Sequence, residues 1–174
     1  GDLTLKAADG AESTLTLTVV DSQNSGGGST NEVGELAFYS SSADQRATFT
    51  LEKGVTIDTN AKIWFGRPTQ SSSSDTTPTD IVVNGNIIQQ VHDGRYYGIL
   101  QIQTEKDSTV LVNGSVAFGW TLSVRGAVFT VSSTGEVKAS DPASTSSTIL
   151  VDARSGVGGK FIVDGSKAVS AVVL

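Results

Sequence analysis

Val112-Asn113-Gly114-Ser115-Val116 places an apolar residue, a turn pair ending in glycine and a return to apolar within five positions. The phrase recurs as Leu51-Glu52-Lys53-Gly54-Val55, Val83-Asn84-Gly85-Asn86-Ile87, Val124-Arg125-Gly126-Ala127-Val128 and Ser133-Thr134-Gly135-Glu136-Val137. Val163-Asp164-Gly165-Ser166 is a weaker copy. Each copy joins two stretches in which apolar and polar residues alternate, so the unit is strand, tight corner, strand. Repeated along a chain, it builds an extended β-body with stacked side chains. It says much about architecture and little about a reaction.

Composition agrees with an all-β chain. The 174 residues suit a single domain, 1–174, large enough to bury a core. Hydrophobic residues make up 37% and charged residues 17%, both low, with Ser, Thr, Gly and Asn in their place. No long stretch carries an apolar stripe at helical period. The net charge of −6, without any basic cluster, disfavours nucleic acid and anionic lipid as partners. The absence of Cys removes disulfides, thiolate chemistry and Cys-based zinc sites. Met is absent too, and the chain starts at Gly1, which reads as a mature secreted chain after signal removal. The expected location is extracellular, at the cell surface.

Thr14-Leu15-Thr16-Leu17-Thr18-Val19-Val20 alternates strictly and is a half-buried strand. Long Ser/Gly-rich stretches interrupt the strands: 21–32 with Gly26-Gly27-Gly28, 67–79 with Ser71 to Ser74, and 141–147. Between 110 and 131 the strands follow one another with almost no spacer.

Two architectures fit this pattern. In a parallel β-solenoid (a parallel β-helix) each turn lies about 4.8 Å above the last, and long loops leave a turn sideways. The phrase recurs at a short interval, Val112 to Val124, and at a longer one, Val83 to Val112. Six or seven turns of roughly 20 residues or a little more are expected. The alternative is an antiparallel jelly roll or sandwich, because Asn-Gly between apolar runs is a hairpin signal. The solenoid is favoured because Gly54, Gly126 and Gly135 hold the same place without the Asn. Val112, Val116, Phe118, Val124 and Val128 are then expected in one core, with Asn113, Ser115 and Arg125 outside. A parallel ladder between 110–113 and 121–124 is the expected mark of the solenoid.

Thr109-Val110-Leu111-Val112-Asn113-Gly114-Ser115-Val116 and Leu122-Ser123-Val124-Arg125-Gly126-Ala127-Val128 resemble rungs of the parallel β-helix passenger and adhesin domains of secreted bacterial surface proteins. The resemblance lies in the style of the repeat, covers about residues 47–140 and carries no site residues. It implies a secreted, non-catalytic surface role.

The candidate sites follow from the same reading. The tail Ala168-Val169-Ser170-Ala171-Val172-Val173-Leu174 is apolar and uncharged, and Leu3-Thr4-Leu5 reads as a strand. A β-body with such ends invites completion by strand addition, and a repeated head-to-tail contact makes a filament. Leu3, Leu5, Val169, Val172, Val173 and Leu174 are therefore the expected assembly residues, with strands near 2–20 and 168–174 open to exchange between subunits. The expected function is a structural or adhesive subunit, not an enzyme, that forms a homo-oligomer or homopolymer as a filament or layer. No cofactor or metal is expected.

The alternative function is a carbohydrate-binding or polysaccharide-lyase-type module acting on a host or surface glycan. It draws on His92, Asp93, Arg95, Tyr97, Trp64 and Trp120. His92 and Asp93 would act as a base and its orienter, Arg95 as an electrostatic clamp, and the aromatics as a stacking platform. No nucleophile motif accompanies them. A turn at Asp93-Gly94 and core packing of Trp64-Phe65 are the plainer accounts. Asn113-Gly114-Ser115 matches a glycosylation acceptor by pattern alone.

Overall fold

The computed structural model describes residues 3–17, 35–39, 46–68, 76–90, 101–141, 147–154, 156–165, 169–170 and 172–173. The expected loop at 26–28 and residues His92, Asp93, Arg95, Tyr97 and Leu174 lie outside these. Among the described residues the structure is all-β, without helix, and its three large sheets are mostly parallel.

The chain visits the three sheets in fixed rotation. The first pass is β1 (Leu3–Leu5), β2 (Ser13–Leu17) and β3 (Glu35–Phe38). The second is β4 (Ala47–Leu51), β5 (Val55–Thr59) and β6 (Lys62–Phe65). After it come two short strands, β7 (Arg67–Pro68) and β8 (Thr76–Thr77), which pair antiparallel at the base of the Ser-rich insert. The third pass is β9 (Thr79–Val83), β10 (Asn86–Gln89) and β11 (Gln101–Thr104). The fourth is β12 (Thr109–Val112), β13 (Ser115–Phe118) and β14 (Thr121–Arg125). The fifth is β15 (Val128–Val131), β16 (Glu136–Ala139) and β17 (Thr148–Arg154), followed by β18 (Val157–Gly158), which turns back antiparallel on the end of β17. The sixth is β19 (Lys160–Val163), β20 (Val169–Ser170) and β21 (Val172–Val173).

The first sheet runs β1-β4-β9-β12-β15-β19 and the second β2-β5-β10-β13-β16-β20. The third runs β3-β6-β11-β14-β17, with β21 parallel beside β17. The arrangement is compatible with the expected β-solenoid. The antiparallel jelly roll is not what forms. The Asn-Gly corners join strands in different sheets, and each strand pairs with its counterpart one pass away.

Alternation within each strand and register between strands stack like residues into columns. In the first sheet Leu51, Val83, Val112 and Val131 are in register and fully buried. Ile57, Ile87, Val116 and Val137 do the same in the second sheet, and Ile63, Ile102, Leu122 and Ile149 in the third. Each such side chain contributes about 1.5–3 kcal/mol on leaving water.

Three sequence expectations need correction. The segments 110–113 and 121–124 do not pair, because β12 lies in the first sheet and β14 in the third. The short interval from Val112 to Val124 separates two sides of one pass. The longer interval from Val83 to Val112 is true stacking. Next, the expected short pass holds from Val112 to Val131, from Ile102 to Leu122 and from Val116 to Val137, and not throughout the stack. The passes from Leu5 to Leu51 and from Leu51 to Val83 are longer. Finally, Val128 points outward. Gly126, at φ +63°, turns the corner so that Ala127 takes the buried place, and alternation then buries Phe129 and Val131. Val112, Val116, Phe118 and Val124 are in the core as expected, and Asn113, Ser115 and Arg125 are outside it, half-buried.

The glycine of the recurring phrase serves two purposes. At Gly126 it supplies positive φ. At Gly114 it supplies clearance, since a Cβ there would overlap the carbonyl oxygen of Gly85 in the pass below.

Gly114→Ala should therefore cost at least about 2 kcal/mol in urea unfolding. Gly158→Ala, whose Cβ meets open space, should stay within about 0.5 kcal/mol. Val124→Ala, truncating a fully buried side chain, should cost about 1–3 kcal/mol.

Candidate functional site

Two features stand out: the open edges of the sheet stack, and a charged cluster on the outer face of the third sheet. Among the described residues, β1, β2 and β3 are each paired on one side only, as are β19 and β20 at the other end. Leu3 and Leu15 continue the inward columns of Phe49 and Ile57, yet they are 48% and 40% exposed. Leu5, Leu36 and Phe38 are half-buried beside them and pack on the core. Phe38 stacks on Phe49 with ring centroids 4.0 Å apart. At the far edge Phe161 stacks on Phe129 at 5.4 Å, and Val163, in the column of Val131, is 48% exposed. Beside the first edge lies a crease of about 360 Å³ formed by Lys6, Asp9, Glu52 and Lys53 with neighbouring backbone. Its charges are of mixed sign, with Lys6 Nζ 3.9 Å from Asp9 Oδ1.

The expected assembly residues sort as follows. Leu3 and Leu5 lie on the first edge. Val169 is in β20, paired with β16, and Val172 and Val173 are in β21, paired with β17. Among the described residues, β1, β20 and β21 thus each pair within this chain's own sheets. Leu15, Leu36, Phe161 and Val163 are edge residues that sequence reasoning missed. Their local pattern is that of any buried strand, and only the register shows that nothing lies beyond them.

The residues of the glycan alternative do not converge. Trp64 faces outward from β6, and Lys62 Nζ sits 4.1 Å from its ring centroid, so one stacking face is taken. Trp120 is half-buried at the corner between β13 and β14, two passes away. Phe65, next to Trp64, is in the core.

The charged cluster centres on Glu105, which is 0% exposed. It follows β11 on the outward phase, where the corner toward the first sheet begins. Gln103 Nε2 donates to its Oε1. Arg154 Nε approaches Oε2 at 3.1 Å, and Arg125 Nη1 lies 3.9 Å from Oε1. Arg125 Nε is 3.6 Å from Asp152 Oδ2. Arg154 crosses over Gly126, where an added Cβ would lie 3.3 Å from the Arg154 Cβ. The network ties the third, fourth and fifth passes. Burial pushes the Glu105 carboxyl up from its ordinary value, against the opposing pull of Gln103 and the two arginines.

A second pair sits outside the first sheet. Arg46 Nε and Nη2 donate to Asp80 Oδ2 and Oδ1 at 2.5 and 2.8 Å, and Thr109 Oγ1 donates to Asp80 Oδ1. Arg46 Nη2 also donates to the carbonyl of Asp107, the one described non-glycine residue with positive φ. The Arg46 hydrogen bond holds the Asp80 carboxyl below its ordinary value. Among the described residues no three acidic or histidine side chains gather as a metal site. Asn113, the pattern-matched glycosylation acceptor, spends its side-chain amide on Asn84 Oδ1 at 2.9 Å.

Compared with known proteins, the chain matches no family model, no curated protein and no solved structure.

The two carboxylates should give opposite pH dependences. Glu105, raised on folding, contributes stability that is fully present below its ordinary value of 4.5 and is lost as pH rises through the raised value. Asp80, lowered on folding, contributes stability present above 3.8 and lost as pH falls through the lowered value. In urea midpoints across a pH series, Glu105→Gln should gain on the wild type as pH rises. Asp80→Asn should gain as pH falls, by less, because its pair is screened by solvent.

Proposed function

We propose that this chain is a structural subunit built as a β-solenoid, which joins copies of itself end to end in a filament or layer at the cell surface. The observation that carries the reading is the state of the two edges. Inward-facing Leu3 and Leu15 at one end, and Val163 at the other, remain exposed in positions whose column neighbours are buried. Elsewhere such exposure is removed by the next pass, at about 1.5–3 kcal/mol per side chain.

The polarity of the sheets decides how copies would meet. Parallel ladders have direction, so the edge at β1, β2 and β3 continues only onto the edge at β19, β20 and β21 of a copy running the same way. Such a contact joins unlike surfaces and does not close on itself, which produces open chains of subunits. The lack of Cys suits an oxidising exterior. A non-catalytic role is supported by the one buried carboxylate of the described site, Glu105, which is taken up by Gln103, Arg154 and Arg125.

The test is assembly itself. The wild-type chain should form species that grow with concentration in sedimentation and appear as filaments or sheets in negative stain. They should withstand raised salt, since screening weakens charge pairs and leaves apolar contacts intact. Leu15→Lys should leave the circular dichroism of the fold unchanged and stop growth. A wild-type protein that stays monomeric at every concentration overturns the reading.

A further inference from the structure

The three sheets carry information about the junction beyond the fact that an edge is open. Leu3 is in register with Phe49, and the column continues through Ile81, Val110 and Phe129 to Phe161. Leu5 starts a second column that ends at Val163 after Leu51, Val83, Val112 and Val131. In the second sheet Leu15 begins a column whose last register position is Val169. In the third, Leu36 begins one that ends at Val173. Four columns in three sheets thus begin with leucine and end with an aliphatic or aromatic residue. In each, first and last positions are five ladder steps apart.

We propose that two copies meet in one defined register, with Leu3 of one copy seated on Phe161 of the next and Leu5 on Val163. The inference rests on the end-to-end reading above and specifies its partner surface. A single translation of six ladder steps, about 29 Å at the usual strand spacing, continues all three sheets at once. The same register sets Lys6 beside Asp164, both exposed and of opposite charge. A slip of one residue sets the outward-facing Thr4 against the inward-facing Phe161, so the faces of the two copies no longer match. A slip of two toward the start of β19 leaves Leu5 on Phe161 and Leu3 on Gly159, so that Val163 loses its partner.

The natural chain has no Cys, so introduced pairs report without interference. Residues opposed across a parallel ladder lie about 4.8 Å apart, inside the Cα span of a disulfide. Within one copy, positions 3 and 161 are five ladder steps apart, about 24 Å, too far to bridge. Oxidised after assembly, Leu3→Cys/Phe161→Cys should give a series of covalent dimers, trimers and larger species on a non-reducing gel. Leu5→Cys/Val163→Cys should do the same and stands in if the first pair folds poorly. The offset pairs Thr4→Cys/Phe161→Cys and Leu5→Cys/Phe161→Cys should remain single chains. Filaments whose axial repeat equals six ladder steps support end-to-end continuation of the sheets, and the cross-links decide the register. Filaments in which an offset pair cross-links and the in-register pairs do not would overturn the register while leaving end-to-end assembly standing. Absence of assembly in the unsubstituted chain overturns both.

Discussion

The column Leu51, Val83, Val112 and Val131 is stacked by parallel backbone ladders whose step of about 4.8 Å leaves no gap between like side chains. That step governs the rest of the structure. It requires the corners of successive passes to lie directly on one another, and Gly114 meets the requirement by having no Cβ to strike Gly85. It also lets polar groups at a corner be satisfied along the stack, by their counterparts one pass away.

Each of the three corners solves this differently. Between the first and second sheets Asn113 hydrogen-bonds Asn84 one pass below, and Thr134 Oγ1 donates to the Asn113 carbonyl from above. Between the second and third, the fully buried Gln89 donates from Nε2 to the carbonyls of Ala61 and Gln101 and accepts from the Gly119 amide at Oε1. Between the third and first, Glu105 with Arg125, Asp152 and Arg154 provides a charged version. An amide satisfied on both ends, as Gln89 is, carries little penalty for burial. The charged corner carries more, because its ions give up solvation that contacts of 3.1 to 3.9 Å return only in part.

Much of the architecture is legible in the sequence, because alternation is a local signal. Thr48-Phe49-Thr50-Leu51 and Val55-Thr56-Ile57-Asp58 show which residues face inward without reference to any partner. Pairing is less legible. Val124 repeats the apolar phrase of Val112, and only the chain path shows it to be on another side of the same pass. Val128 is misplaced when alternation is carried through Gly126, where positive φ resets the phase. At the edges, Leu15 and Ile57 look alike in sequence, and they differ only in having no pass and one pass beneath them. Glu105 gives no warning, since its partners Arg125 and Arg154 arrive one and two passes later in the chain.

Stacked-repeat proteins commonly lose stability one unit at a time, since each unit touches only its neighbours. Arg154 does not respect that limit. From the end of the fifth pass it reaches across Gly126 to Glu105, at the end of the third. Peeling the last passes away would separate Arg154 from Glu105 and open the Glu105 carboxyl to water. Fraying from this end therefore alters a contact two passes further in, and the loss of the fifth pass changes the surroundings of the third. A shortened or lengthened version of the chain made by removing or duplicating the fourth pass would break that reach, although every nearest-neighbour contact in it could be preserved.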